Sequence, residues 1–495
     1  MKSDAITLQD IVRNLPEVRS ISGASVSVSG VAHDSRDVRS GDMFVCLVGS
    51  SFDGHRFVAE AVRNGATALL IQSDRSAADI SHDIPHITVD DTRSALPLVA
   101  SCVYGRPSRK LKLLGVTGTN GKTTTTLLLE RILRQRGWKT GVIGTLGSSF
   151  MGDPIPSEHT TPEADQLQFL LREMLLRGGD AVVMEVSSHA IAMKRTLACE
   201  FDGAAFTNLT QDHLDFHSTM EEYFQTKLRL FAEYPLGSAK AFHASVNMDD
   251  PYGKRILSET KGDVVTYAVH NDAILTVRDI HYAPHQTRFV LRSSSGECEV
   301  TLQIGGAFQV SNALAAAGVA WGIGMDLNTI AEGLGYLPAA PGRFESVQTG
   351  RDFHLIVDYA HTPDGLRNLL ISARELSPKK ILLVFGCGGD RDRTKRPVMA
   401  RIASEYADRI FITSDNPRHE DPMAIIEEIC VGVEDKSACA VIPDRREAIG
   451  SAIHEAKKGD LVILAGKGHE DYQIIGDNKI HFDDREVARE LLEVS

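Results

Sequence analysis

The amino-acid sequence predicts an α/β protein of three domains with mostly parallel sheets, and three observations support this. The 495 residues suit about three domains of roughly 150 residues each. Short apolar strands alternate with helical segments after residue 111, and the alternation returns after residue 342. Strands of this kind, separated by helices, are typical of parallel sheets covered on both faces.

The predicted domains are 1–105, 106–340 and 341–495, with a linker at 105–110 and a proline-containing hinge at 338–342. A β-rich insertion is expected within 265–300. The predicted strands are Gly41–Val48, Thr67–Gln72, His86–Val89, Leu113–Val116, Gly141–Ile143, Ala181–Val186, Gly203–Thr207, Leu355–Val357, Ile381–Phe385, Ile410–Thr413 and Leu461–Leu464, and Thr123–Arg136 is a predicted helix.

Composition and charge narrow the class of protein. The chain is 42% hydrophobic and 24% charged, which is ordinary for a globular protein. Its net charge of −13 disfavours a nucleic-acid partner, because binding to a phosphate backbone requires a basic surface. No apolar run approaches the ~20 residues of a membrane span, and the first residues lack the apolar core of a signal peptide. The seven cysteines form no CxxC pair, which favours reduced thiols in a cytoplasmic protein.

A glycine-rich loop follows the predicted strand Leu113–Val116 and precedes a helix. Gly118 and Gly121 would let backbone N–H groups and the helix N-terminus face a phosphate. Lys122 would neutralise the β- and γ-phosphates, and Thr123 would offer its hydroxyl to Mg²⁺. The pattern G-x-x-G-K-T is shorter than the usual G-x-x-x-x-G-K, so a plain glycine-rich turn is the alternative. The flanking strand and helix favour nucleotide binding.

Two further predicted strands end in, or are followed by, side chains of the kinds that bind metal ions. Glu185 ends Ala181–Val186, and His213 follows Gly203–Thr207. A carboxylate at the end of a parallel strand beside a phosphate loop is well placed for Mg²⁺. Taken singly, each residue is more often structural, and the pair favours a metal site.

Lys227 lies on the apolar face of a predicted helix, with Tyr223 four residues before it and Phe231 four residues after it. A buried ammonium is costly without compensation. One interpretation is a lysine whose stem packs while its head reaches water. The other is a lysine made anionic by CO₂, whose carbamate would help to hold Mg²⁺ against ATP.

Taken together, these motifs and several later ones resemble the Mur ligases of bacterial cell-wall synthesis. The resemblance extends from the DSR segment at 34–36 and GDMFV to residue 471. The motifs, in order, are GTNGKTTT, EVSSHA, TNLTQDHLDFH, Lys227, SNALAA, PGRFE, DYAHTPD, GCGGDRD, DNPR and GKGHED.

The resemblance implies an ADP-forming ligase that joins a carboxylate to an amine through an acyl phosphate. It implies an N-terminal domain for a uridine nucleotide substrate, a central P-loop domain for ATP and Mg²⁺, and a C-terminal Rossmann-like domain for an amino acid. In the branch of the family that the motifs favour, meso-2,6-diaminopimelate is added to UDP-N-acetylmuramoyl-L-alanyl-D-glutamate (UDP-MurNAc-L-Ala-D-Glu). We expect a monomer whose domains close near 338–343.

The resemblance also implies four sets of functional residues. The ATP contacts are Gly118, Thr119, Asn120, Gly121, Lys122, Thr123, Thr124, Asn312, Arg343 and Asp358. The catalytic residues are Lys122, Lys227, Glu185 and His213, and the metal ligands are Thr123, Glu185, His213 and carbamylated Lys227. The uridine-substrate contacts are His33, Ser35, Thr160, Thr161, Ser187, Arg195 and Lys227. The diaminopimelate contacts are Arg391, Asp415, Asn416, Pro417, Arg418, Gly466 and Glu470.

Arg418 is the main indication of amino-acid specificity. Its planar guanidinium suits the distal carboxylate of diaminopimelate, which L-lysine lacks. Taken alone, DNPR is more typical of a turn. Two positions depart from the family, since His159 replaces a frequent Asn and Met193 replaces a Gln. His361 is a candidate base for the incoming amine.

The alternatives are a lysine-adding or other Mur-type ligase, a folylpolyglutamate synthetase and a non-catalytic relative. The DSR and DNPR segments disfavour the other ligases, and intact Lys122, Glu185, Lys227 and Asp358 disfavour loss of catalysis.

Overall fold

The structure is a computed structural model that describes residues 5–49, 52–75, 84–156, 159–214, 216–336 and 340–494. Three mainly parallel sheets follow one another along the chain, and each has an antiparallel strand at one edge. The predicted fold class is therefore confirmed. The exact domain boundaries stay a prediction, and residues 338 and 339 of the predicted hinge lie outside the described residues.

The N-terminal sheet has the strand order β2-β7-β6-β5-β4, with a separate pair β1-β3 beside it. Its apolar side chains form a core with the helix that follows β7. The elements are β1 Ile6–Thr7, α1 Leu8–Val12, β2 Ser20–Ser22, β3 Ser27–Val28, β4 Gly30–Ala32, β5 Asp42–Val45, α2 Val58–Arg63, β6 Ala68–Gln72, β7 His86–Val89 and α3 Thr92–Val103.

The central sheet has eight strands in the order β11-β10-β9-β12-β8-β13-β14-β15. The predicted insertion is a separate antiparallel sheet of β16, β17 and β18. The elements are β8 Lys112–Thr117, α4 Lys122–Gln135, β9 Thr140–Gly144, β10 Gly147–Phe150, β11 Asp153–Ile155, α5 Ala164–Leu176, β12 Ala181–Glu185, α6 Ser188–Ala192, β13 Gly203–Phe206, α7 Met220–Ala232, β14 His243–Asn247, α8 Gly253–Glu259, β15 Asp263–Tyr267, β16 Thr276–Ala283, β17 Gln286–Ser293, β18 Gly296–Leu302, α9 Phe308–Gly322 and α10 Leu327–Gly335.

The central strands are apolar because helices cover both faces of the sheet. Every residue of β12 is buried, as expected for a parallel strand between two helical layers. Helices α4, α9 and α10 pack on one face, and α5 and α7 pack on the other. Strands β12 and β13 flank β8 in parallel, so the carboxyl ends of all three strands meet at one edge.

The C-terminal sheet has the order β19-β20-β24-β21-β22-β23, and a hairpin of β25 and β26 lies beside it. Helices cover both of its faces. The elements are β19 Glu345–Val347, β20 His354–Asp358, α11 Pro363–Glu375, β21 Ile381–Phe385, α12 Lys395–Tyr406, β22 Arg409–Ile412, α13 Pro422–Cys430, β23 Cys439–Val441, α14 Arg445–Glu455, β24 Leu461–Ala465, β25 Tyr472–Ile475, β26 Asn478–His481 and α15 Asp484–Val494.

Two local details add to the sequence expectations. The predicted linker at 105–110 contains a 3-10 turn at Pro107–Arg109 and a buried Ser108. Several strands are shorter than predicted, and Gly41–Val48 reduces to β5. Within the described residues, no helix is long and apolar enough to cross a membrane.

Candidate active site

The loop between β8 and α4 has the geometry of a phosphate cradle. Gly118 and Gly121 have φ angles of +151° and +83°, which favour glycine. A Cβ atom on Gly118 would lie 1.9 Å from Thr207 Oγ1, and one on Gly121 would lie 2.2 Å from Asn312 Oδ1. The two glycines are therefore required by backbone conformation and by close packing.

The side chain of Lys122 curls back over this loop. Its Nζ donates to the carbonyl oxygens of Gly118 at 3.0 Å and Thr119 at 2.8 Å. Burial lowers the pKa of Lys122, while Glu185 and Asp212 act in the opposite direction. The ammonium therefore lies where the phosphates of a nucleotide on the loop would need neutralisation.

Lys227 is buried against the same loop. The residue is 1% exposed, and Nζ donates to the Gly118 carbonyl at 3.0 Å and lies 4.6 Å from the centre of the Tyr223 ring. Burial and the charge of Lys122 hold the pKa of Lys227 well below its ordinary value. The interpretation of Lys227 as a lysine whose head reaches water is therefore wrong, because the whole side chain is enclosed.

Glu185 lies at the end of β12, on the other side of the loop, and is 1% exposed. Its two carboxylate oxygens accept from the backbone N–H of Thr145 at 2.8 Å and from its hydroxyl at 3.0 Å. A Cβ on Gly144 would lie 2.4 Å from Glu185 Oε1. The chain thus fixes this carboxylate at the floor of the cleft.

His213 lies beyond the end of β13, with a φ angle of +56°. Its ring is 4.8 Å from that of His189. Among the described residues, no three His, Cys, Asp or Glu side chains form a group that could hold a metal by themselves. Glu185 and His213 nevertheless line one cavity together with Thr123.

This cavity has a volume of about 510 Å³ and lies between the central and C-terminal domains. The predicted ATP contacts Asn312, Arg343 and Asp358 line it. Arg343 Nη2 lies 3.4 Å from Thr123 Oγ1, and its guanidinium carbon lies 4.7 Å from the centre of the Tyr359 ring. Arg343 Nε is buried without a hydrogen-bond partner in the described structure. A cationic group with an unused donor suits an anionic ligand.

Asp358 connects two segments of the C-terminal domain that line this cleft. Its carboxylate accepts from the backbone N–H groups of Phe344 at 2.7 Å and Ala360 at 2.8 Å. Burial raises the pKa of Asp358, although Arg343 opposes the effect. Asp358 therefore holds the segment that carries Arg343 next to the loop that carries His361.

A contact that the sequence did not reveal joins the two domains directly. Asp364, in the first turn of α11, accepts at Oδ2 from Asn120 Nδ2 and from Thr210 Oγ1, both at 2.8 Å. Asn368 Nδ2 donates to the same oxygen at 3.0 Å. One carboxylate oxygen of the C-terminal domain is thus hydrogen-bonded to both the phosphate loop and the segment after β13.

The predicted uridine-substrate residues fall into two groups. Thr160, Thr161, Ser187 and Arg195 line the cavity, and Arg195 Nη1 donates to the Thr161 carbonyl at 3.0 Å. His159 and Met193, the two residues that depart from the family pattern, line the cavity as well. Met193 Sδ accepts from Arg195 Nη2 at 3.6 Å, so the methionine packs beside this arginine.

His33 and Ser35 follow β4 in the N-terminal domain and are outside the cavity lining. His33 Nδ1 pairs with Asp165 of α5 at 2.8 Å, and Ser35 Oγ donates to Glu60 Oε2 at 2.8 Å. Burial opposes the charged form of His33, but the hydrogen bond and charge of Asp165 outweigh it, so the pKa of His33 is raised. The His33–Asp165 pair links the first two domains, and the sequence gave no indication of Asp165.

The predicted diaminopimelate residues gather at the carboxyl ends of β21, β22 and β24, also outside the cavity lining. Asn416 Nδ2 donates to Glu470 Oε2 at 2.8 Å, and a Cβ on Gly466 would lie 2.8 Å from Asp415 Oδ2. Pro417 continues the same turn. Two short loops thus form one polar surface.

Arg418 and Arg391 flank a glycine at the edge of this surface. Arg418 has a φ angle of +52°, and its Nη1 donates to the Gly389 carbonyl at 2.8 Å. A Cβ on Gly388 would lie 2.8 Å from Arg418 Nη1 and 3.9 Å from Arg391 Cγ. The structure therefore places both predicted arginines next to each other.

The fold and the cleft define a class of protein: a three-domain α/β protein with a glycine-rich strand-to-helix loop in its central domain and a cavity between its central and C-terminal domains. Each domain matches a family description. These are "Mur ligase family, catalytic domain" at residues 27–101, "Mur ligase middle domain" at 116–320 and "Mur ligase, glutamate ligase domain" at 342–468. The chain belongs to the Mur ligase family.

Several curated relatives that align over nearly the whole chain are named UDP-N-acetylmuramoyl-L-alanyl-D-glutamate–2,6-diaminopimelate ligase. That of Syntrophomonas wolfei is 44% identical over 487 residues, covering 98% of this chain and 99% of the relative. That of Gloeobacter violaceus is 46% identical over 482 residues, covering 97% and 95%. A solved structure of an enzyme with this name is 31% identical, with a TM-score of 0.70 and 99% of both chains covered.

Proposed function

We propose that the chain is an ATP-dependent ligase that adds meso-2,6-diaminopimelate to UDP-MurNAc-L-Ala-D-Glu in peptidoglycan precursor synthesis. The observation that carries the proposal is the cleft, where Lys122 of one domain faces Arg343 of the next across a single cavity, with Lys227 buried behind the phosphate loop at the Gly118 carbonyl. The relatives named for this reaction support it, because they align over nearly the whole chain.

Magnesium fits the side chains that line this cleft. Thr123, Glu185 and His213 supply a hydroxyl, a carboxylate and an imidazole. Lys227 would supply further oxygen donors as a carbamate, formed when its neutral amine bonds to CO₂ and releases a proton. Hard oxygen ligands are those that Mg²⁺ prefers. When bound, the ion would offset the negative charge of the triphosphate.

The first step forms an acyl phosphate. An oxygen of the D-glutamyl carboxylate attacks the γ-phosphorus of ATP, and the bond to ADP breaks. Since an anion attacks an anion, the cationic groups of Lys122 and Arg343 and the N-terminus of α4 reduce the repulsion. The N–H groups of the 118–121 loop fix the phosphate chain in place.

The second step forms the amide bond. The neutral amine of the amino acid attacks the acyl carbon, and phosphate leaves from the tetrahedral intermediate. His361 lines the cavity, and its Nδ1 lies 2.8 Å from the Tyr359 carbonyl oxygen, to which only a protonated Nδ1 can donate. Partial desolvation within the cleft and the positive charge of Lys395 lower the pKa of His361, which leaves Nε2 as an acceptor for the amine proton.

The preference for diaminopimelate rests on Arg418 and Arg391. Two adjacent guanidinium groups suit a carboxylate, and the distal carboxylate of diaminopimelate is the group that L-lysine lacks. His33, Ser35 and Arg195 with their neighbours are proposed to hold the uridine nucleotide substrate. The protein is also proposed to be a monomer. It is proposed to be cytoplasmic, as its seven free thiols suit a reducing compartment.

Phosphate release with UDP-MurNAc-L-Ala-D-Glu and ATP tests the function, comparing diaminopimelate with L-lysine. Release with diaminopimelate alone is expected. Arg418→Ala should lower kcat/KM for diaminopimelate about 10- to 150-fold, as expected for a lost charged hydrogen-bonded pair worth about 1.5–3 kcal/mol. Arg393→Ala, which removes a nearby exposed arginine paired with Glu428, is the control and should change little.

Release with lysine instead would overturn the specificity argument and leave the ligase reaction standing. No release with either amino acid, in protein that still binds ATP, would favour a non-catalytic relative.

A further inference from the structure

Lys467 is a buried charge that the proposed reaction does not use. It follows β24 in the GKGHED segment, and its side chain is 0% exposed. Burying an ammonium is costly unless its hydrogen bonds are satisfied. Its partners therefore indicate what the charge does for the protein.

Two of its three partners belong to the proposed diaminopimelate surface. Lys467 Nζ lies 3.3 Å from Glu470 Oε2 and 3.4 Å from Asn416 Oδ1. It also donates to the backbone carbonyl of Tyr472, at the start of the β25–β26 hairpin. One ammonium thus contacts the DNPR turn, the GKGHED loop and the hairpin.

The contacts determine the orientation of the Asn416 amide. Asn416 Oδ1 accepts from Lys467 and from the backbone N–H of Ile474 at 3.0 Å. The amide NH₂ group therefore faces Glu470 Oε2, to which it donates at 2.8 Å. With Lys467 and Asn416 both directed at Oε2, the carboxylate of Glu470 is held in one orientation.

We propose that Lys467 is a positioning residue for amino-acid recognition: it orients Glu470 through Oε2 and Asn416, so that the carboxylate receives an ammonium group of the incoming amino acid. This inference rests on the proposed function. Lys467 acts through Glu470 and Asn416 and does not itself contact the reacting atoms.

The test is Lys467→Met, assayed by phosphate release with each substrate varied in turn. The KM for diaminopimelate should rise roughly tenfold, which corresponds to about 1.4 kcal/mol, while the KM values for ATP and UDP-MurNAc-L-Ala-D-Glu stay unchanged. Lys479→Met is the matched control, because exposed Lys479 lies 3.9 Å from the ring centre of the same Tyr472. It should leave all three KM values unchanged.

A double-mutant cycle with Glu470→Gln separates positioning from a general structural role. If Lys467 acts through Glu470, Lys467→Met should add little once Glu470 is altered. Equal increases in all three KM values, an unchanged KM for diaminopimelate, or effects that multiply in the double variant would each overturn the inference. If Lys467→Met does not fold, Lys467→Gln, which keeps a donor without the charge, takes its place in the same cycle. Wild-type protein inactive with diaminopimelate would instead overturn the proposed function.

Discussion

The contact of Asp364 with the central domain gives a quantitative prediction about domain closure. Asp364→Ala removes two hydrogen bonds that cross from α11 to Asn120 and Thr210. At ~0.5–1.5 kcal/mol each for a half-exposed group, the loss is about 1–3 kcal/mol. If open and closed arrangements exchange, the closed fraction should fall about 5- to 150-fold relative to the open one.

Small-angle scattering and steady-state kinetics measure this effect. With all ligands bound, Asp364→Ala should have a larger radius of gyration than the wild type and a lower kcat, because the amine would meet the acyl phosphate less often. Asn368→Ala is the control, since it removes a hydrogen bond to the same oxygen from within α11. Identical scattering profiles for Asp364→Ala, Asn368→Ala and wild type would refute the role of this contact in closure.

Two further predictions concern buried charges. Protein equilibrated with ¹³C-bicarbonate should show a carbamate NMR resonance that Lys227→Met lacks and Lys254→Met, at an exposed lysine, retains. Because the pKa of Lys227 lies well below its ordinary value of 10.5, the resonance should persist below pH 10.5 and disappear as the pH falls through the lowered pKa; a resonance retained in Lys227→Met would contradict the assignment. Arg445 pairs with Asp484, both side chains being 0% exposed, so Arg445→Met should lower the free energy of unfolding by about 3–5 kcal/mol in chemical denaturation. Arg446→Met, at an exposed neighbouring pair, should change little, and equal losses in both variants would contradict the reasoning.

The phosphate loop and the fold class were predictable because their determinants are local in the sequence. The apolar run of β8 leads directly into Gly118–Lys122 and then into a helix, so strand, turn and helix are recognisable together. The sequence of α7 also placed Lys227 on an apolar face. Whether its head reached water depended on the packing of Gly118 and Tyr223 around it, which a helical pattern does not specify.

The order of strands in the sheet was not predictable in the same way. Glu185 and His213 were expected at consecutive strand ends, and the structure places β12 and β13 on opposite sides of β8. The two side chains therefore approach the phosphate loop from both flanks. This arrangement comes from long-range parallel pairing, which leaves no local pattern in the chain.

Contacts between domains were also missed, since they need two distant segments of the correct shape. Asp165 and Asp364 resemble ordinary helix residues in the sequence, yet they pair with His33 and Asn120 across domain boundaries. Lys467 was recognisable only as part of GKGHED. Its burial among Asn416, Glu470 and Tyr472 depends on the hairpin that follows.

The loop after β20 connects the nucleotide cleft with the region proposed to bind the amino acid. Tyr359 lies against Arg343 of the nucleotide cleft, and its ring centre is 4.8 Å from that of His469, beside Glu470. His361 continues the same loop into the cleft, and Asp364 follows it in the first turn of α11. A movement of the segment that carries His469 and Glu470 towards the phosphate loop is therefore expected to repack Tyr359. Because that repacking also shifts Arg343 and His361, occupation of the amino-acid surface and completion of the nucleotide cleft are expected to depend on each other.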